Sequence, residues 1–173
     1  PIRKSIWSNV FYSELGQITT VASSMFPLYL LSGFGSGVIS VMNYGKNIAD
    51  IPNTLVTSQF ANVSGIKLNE QAAKNDRAGM NETFLDISKL MVFILVPVGF
   101  YCFVFAAPIV QLFYQNNNFN AADVAESAMF LQLLSLTFFS IGTNAMVTRI
   151  FIAVQAIRPA FFYQVILNVL LIA

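Results

Sequence analysis

An all-α, polytopic transmembrane bundle is the fold class this sequence predicts, and three observations predict it. Hydrophobic residues make up 56% of the chain and charged residues only 10%, where a soluble domain carries about a quarter charged. Two long stretches, from Leu90 to Ala122 and from Ser127 to Thr148, contain no charged residue. The apolar stretches are also long enough to cross a bilayer several times over, at roughly 20 residues per helical crossing. The mean hydropathy is +0.66.

About five membrane segments follow in order. The first, at about residues 10–31, holds Pro27, which is expected to kink it by removing a backbone donor. Gly33, Gly35 and Gly37 punctuate the chain as a turn. The second segment, at about residues 38–66, is the least apolar. A charged stretch follows, with its break expected at Asn75-Asp76-Arg77-Ala78-Gly79 and Asn81 as the cap of the next helix. The third segment, at about residues 84–113, is bent by Pro97 and Pro108. The asparagine-rich loop then ends in Asn120, a plausible N-cap, with Asp123 in the first turn. The fourth segment spans about residues 125–154. Arg158-Pro159 opens a fifth, at residues 159–173, that the chain end cuts short, so the chain reads as a fragment of a longer polytopic protein.

Lysines and arginines set the expected orientation. Arg3 and Lys4 precede the first segment; Lys67, Lys74, Arg77 and Lys89 lie between or at the edges of the second and third; Arg149 and Arg158 flank the junction of the fourth and fifth. With alternating crossings these junctions share one side, which the positive-inside bias makes cytoplasmic.

Function classes narrow by what is missing. The net charge is +1, so nothing recommends nucleic acid as a partner. There is no histidine and a single cysteine, Cys102, so zinc sites and serine or cysteine triads lack their usual parts. No catalytic group, metal site or cofactor is expected.

The second segment carries the chemistry. Asn43, Lys46, Asn47, Asp50, Thr54, Thr57 and Ser58 recur in steps of three and four and fall on one helical stripe. A charge deep in a bilayer costs at least about 2.5 kcal/mol, so two of them on one polar face point to a water-filled or protein-lined interior. Lys46 and Asp50, four apart, can pair. Gln17, Thr20 and Ser24 in the first segment form a weaker set, expected to be the facing wall of the same cavity. A polar packing seam without a cavity, as in a membrane scaffold, is the plainer alternative.

The stretch from Gly35 to Pro52, with Tyr44-Gly45-Lys46-Asn47-Ile48 at its centre, resembles a helix-start signature of the MurJ or MviN-like lipid II flippase family. Pro108 to Gln115, with Phe119 and Asp123, resembles that family's span end and following loop, and Arg158-Pro159 falls where the next span starts. The resemblance implies the multidrug/oligosaccharidyl-lipid/polysaccharide exporter superfamily, about fourteen spans in two lobes around a central cavity, and a place at the start of the second lobe. It implies a multi-pass protein of the bacterial cytoplasmic membrane, in contact with membrane lipids, that flips a polyprenyl-diphosphate-linked sugar by alternating access. On this reading Lys46 would attract the diphosphate, and Asp50 would hold Lys46 or bind a coupling cation. Asn47 stands where the family typically carries an arginine; Lys46 offers a neighbouring charge about 100° round the helix, without the bidentate fork of a guanidinium. A flippase for another lipid-linked polysaccharide and a cation-coupled drug antiporter of the same superfamily fit the same residues.

Overall fold

The computed structural model describes residues 2–33, 37–114 and 119–172. All regular elements among them are helices: α1 (Ile2–Leu31), α2 (Val38–Pro52), a π-helical turn (Asn53–Ser58), α3 (Gln59–Ala73), α4 (Arg77–Val104), α5 (Ala106–Tyr114), α6 (Ala121–Ser135), α7 (Phe138–Ala153) and α8 (Ile157–Ile172). The middle residues of the expected glycine turn and most of the asparagine loop lie outside the described residues.

Helix boundaries have local causes. Asn120 caps α6 by accepting hydrogen bonds from the backbone N–H groups of Ala122 and Asp123 at 2.8 and 3.1 Å. The Asp123 carboxylate accepts in return from the Asn120 N–H at 3.0 Å, completing a reciprocal cap. The α4 start corrects the sequence expectation. Asp76, rather than Asn81, is the cap, accepting from the Gly79 N–H at 2.9 Å, so the helix starts five residues earlier than expected. Pro108 lacks the N–H that would bond Val104, and the helix breaks there, at Phe105, between α4 and α5. Between α6 and α7, Thr137 Oγ1 donates to the Leu134 carbonyl at 2.7 Å and Ser135 Oγ to that of Gln132 at 2.7 Å. Such local bonds compete with the helical ladder, and the two helices bend by 47°.

Helices α2 to α7 form the main bundle, with α2 on α6, α4 on α7 and α6, and α3 on α7 and α4. Each contributes one stripe: Val41, Gly45, Ile48 and Ala49 from α2; Met91, Leu95, Gly99 and Cys102 from α4; Phe138, Gly142 and Met146 from α7. Small residues let backbones touch. A Cβ on Gly45 would lie 2.6 Å from the Ser127 carbonyl oxygen, and one on Gly99 would lie 2.8 Å from that of Ser135. Ser127 Oγ, fully buried, donates to the Val41 carbonyl at 3.2 Å and ties the same α2–α6 contact. Helix α1 packs chiefly against α8 and meets α2 lightly.

The outward faces are strongly apolar, with Phe11, Ile18, Met25, Phe93, Phe100 and Leu112 among the exposed side chains. Among the described residues one helix, α4, is by itself long and apolar enough to cross a membrane, and the bent pair α6–α7 passes the same criterion jointly. The expected count of five spans therefore exceeds what the length and apolarity of individual helices show. Helix α1 is long enough but carries too many polar groups, and the second segment is broken into α2, the π turn and α3.

Candidate functional site

Helix α2 has two unlike faces. One is locked onto α6 through Gly45. The other presents Asn43, Lys46 and Asn47, all exposed, with Asp50 half-buried and Thr54 exposed one turn further on. Lys46 Nζ donates to Asp50 Oδ2 at 2.7 Å, and both side chains stay about half exposed, at 54% and 48%. A pair this open contributes little stability. What the arrangement supplies is an ammonium and a carboxylate on one rigid helix, flanked by neutral amides.

The π turn separates Thr57 from this stripe. Pro52 cannot donate to the Ile48 carbonyl. The Asn53 N–H bonds the Asp50 carbonyl while its Nδ2 donates to the Ala49 carbonyl at 3.3 Å, so the ladder restarts in a wider turn. That turn holds an extra residue and sets everything after it back by about 100°. Thr57, which on an unbroken helix would lie under Asp50, is instead only 5% exposed, on the face that continues into Ala61, Ser64, Gly65 and Leu68 and packs towards α7. Its hydroxyl and Asn53 Oδ1 are buried without a hydrogen-bond partner.

Nor does the structure set the α1 residues opposite α2. Gln17 and Thr20 line a cavity of about 350 Å³ between α1, α7 and α8, with Tyr12, Thr148, Tyr163 and Gln164 on its walls. Thr20 Oγ1 donates to the Gly16 carbonyl at 3.0 Å and Ser24 Oγ to that of Val21 at 2.8 Å. Beside this cavity runs a polar seam that the sequence reading missed. Asn168, only 6% exposed, donates to Thr19 Oγ1 at 3.2 Å and accepts from Gln164 Nε2 at 3.2 Å. Two amides four residues apart in an apolar run were a visible signal.

The basic junctions converge at one end. Arg149 bonds Asn62 on α3, and its side chain lies 3.3 Å from where a Cβ on Gly65 would sit. Arg158 donates to Ser8 Oγ at 3.1 Å and lies 5.4 Å from the centre of the Tyr12 ring. Lys74 Nζ donates to Glu70 at 2.7 Å, and this contact holds the Glu70 carboxyl below its ordinary range and the Lys74 ammonium above its own. The opposite end is closed by aromatic contacts of Tyr44 with Tyr114 and Phe119, at 4.7 and 5.0 Å between ring centres.

The sequence family described as "Lipid II flippase MurJ" matches residues 2–173. The chain belongs to the MurJ family. Members of this family are membrane transporters of peptidoglycan biosynthesis. A relative named "Probable lipid II flippase MurJ", from Borreliella burgdorferi, is 22% identical over 156 residues, covering 89% of this chain. The chain spans about 30% of that relative's length. No solved structure matches. At the Gly45-Lys46-Asn47 step consecutive residues pack against α6 and present exposed polar groups on the other side of the same helix.

Proposed function

We propose that this chain forms part of a flippase that moves a polyprenyl-diphosphate-linked sugar, of the lipid II type, across the bacterial cytoplasmic membrane by alternating access. The observation that carries the reading is the open stripe of α2. Asn43, Lys46, Asn47, Asp50 and Thr54 stand on a helix anchored on its other side at backbone distance, so ions and amides are presented without being consumed in packing. Family membership supports a lipid-linked substrate. The apolar outward faces support a multi-pass bundle in which α2–α3, α4–α5 and α6–α7 cross as broken spans beside α1 and α8. In this role Lys46 meets the diphosphate as a point charge and Asp50 keeps the ammonium oriented or takes a coupling cation. Gln17 and Thr20 give a separate polar cavity between α1, α7 and α8, Ser24 bonds its own helix, and Thr57 serves the π turn's packing face.

The test is transport. Lys46→Ala is expected to lower the delivery of lipid-linked glycan to the outer leaflet about tenfold, the scale of one lost charge-assisted contact, while Thr57→Val leaves delivery unchanged. Normal delivery by both Lys46→Ala and Asp50→Ala would sink the proposal. A cysteine placed at Asn47 should react with a water-soluble thiol reagent, as a wetted cavity requires.

A further inference from the structure

Two adjoining cavities occupy the basic end of the molecule. The larger, about 620 Å³, lies between the α3–α4 and α7–α8 turns, with Asn69, Asn75, Arg77 and Gln155 on its walls and Met80, Ile152 and Val154 among its apolar residues. The smaller, about 390 Å³, is lined by Ser8, Asn9, Arg158 and Pro159, and shares Gln155 with the first. Each thus has one arginine on its wall, and Gln155 belongs to both. The two cations differ from their neighbours. Lys74 is engaged by Glu70, whereas among the described residues Arg77 makes no salt bridge. Arg158 leans on Tyr12 and Ser8 and keeps its charge unneutralised by any carboxylate among the described residues.

The turns themselves are matched. Asp76 N–H bonds the Gln71 carbonyl and Ala156 N–H that of Phe151, both at 2.9 Å, and the residue before each has positive φ, 55° at Asn75 and 54° at Gln155. Glycine or asparagine is the usual occupant of such a position. A glutamine there is strained, and this residue is the one that lines both cavities.

We infer that this double cavity binds the phosphate-bearing headgroup of an acidic phospholipid. Guanidinium forks suit phosphate oxygens, the amides of Asn69, Asn75 and Gln155 can donate to phosphate and glycerol oxygens, and the apolar floor accepts the first methylenes of the tail. Basic groups beside a membrane surface attract acidic lipids. The inference rests on the membrane reading above. Lipid retention that survives in a transport-impaired Lys46→Ala protein would separate the two.

The experiment is native mass spectrometry of the intact protein released from micelles containing phosphatidylglycerol and phosphatidylcholine in equal amounts. Phosphatidylglycerol is expected to be retained preferentially. Arg77→Gln should cut its retention about fivefold, the scale of one basic group at a membrane surface, and Lys74→Gln should leave it unchanged. Gln155→Gly should weaken retention while raising the melting temperature, an outcome that misfolding cannot mimic. Equal retention of the two lipids, or an equal loss from Lys74→Gln, overturns the site. sn-Glycerol 3-phosphate added alone distinguishes the source: thermal protection equal to that of the lipid would overturn a membrane-borne ligand in favour of a soluble phosphate.

Discussion

Helices α2 and α1 both carry a glycine in a polar-spotted segment, and they use it in opposite ways. At Gly45 the helix lies so close to α6 that a Cβ would fall 2.6 Å from a main-chain oxygen and 3.1 Å from the Leu131 nitrogen. At Gly16 the nearest atom is a Phe161 ring carbon at 3.8 Å, ordinary contact. The α2–α6 junction is thus held by backbone proximity, and the α1–α8 pair by side chains: the Thr19–Asn168–Gln164 seam inside and the Arg158 contacts to Tyr12 and Ser8 at its end. Small residues allow van der Waals packing between helices where lipid supplies no hydrophobic drive. A polar seam gives registry instead.

Three substitutions break or sharpen that contrast. Gly45→Ala forces backbone apart and should cost about 3 kcal/mol, the upper end for overpacking, read as a large fall in melting temperature in detergent. Asn168→Leu removes both ends of the seam and should cost about 1 kcal/mol, the scale of a hydrogen bond between membrane helices, with α1–α8 cysteine cross-linking reduced and α2–α6 cross-linking unchanged. Gly16→Ala should stabilise by about 0.5 kcal/mol through helix propensity alone. A destabilisation there equal to that at Gly45 would show that α1 docks as closely as α2 and abolish the distinction.

How much of this was legible in the sequence depended on range. Signals between near neighbours were readable. Asn120 and Asp123 form the cap their spacing implied, the chain breaks within Asn75 to Gly79, and Pro108 ends a helix just upstream. Asn81 misled because Asp76 offered an earlier carboxylate to the same turn. The stripe on α2 was visible as far as Thr54 and lost at Thr57, because periodicity presumes one continuous α ladder and Pro52 with Asn53 replaces it locally with a wider turn. Partner choice was the least visible. The polar residues of α1 could be counted, but nothing in their spacing tells whether they meet α2 or α8. The amides of α8 that answer them lie about 150 residues away, in a run whose apolar neighbours drew the eye.

The π turn at Asn53–Ser58 also governs how this helix should be matched to straight ones. Upstream of it the chain keeps one angular phase and downstream another, differing by a single surplus residue. Against an unbroken helical counterpart, a one-residue gap belongs inside this turn. Without that gap Thr57 would be set against positions on the exposed face, and every residue from there to Leu68 would be assigned the wrong neighbour.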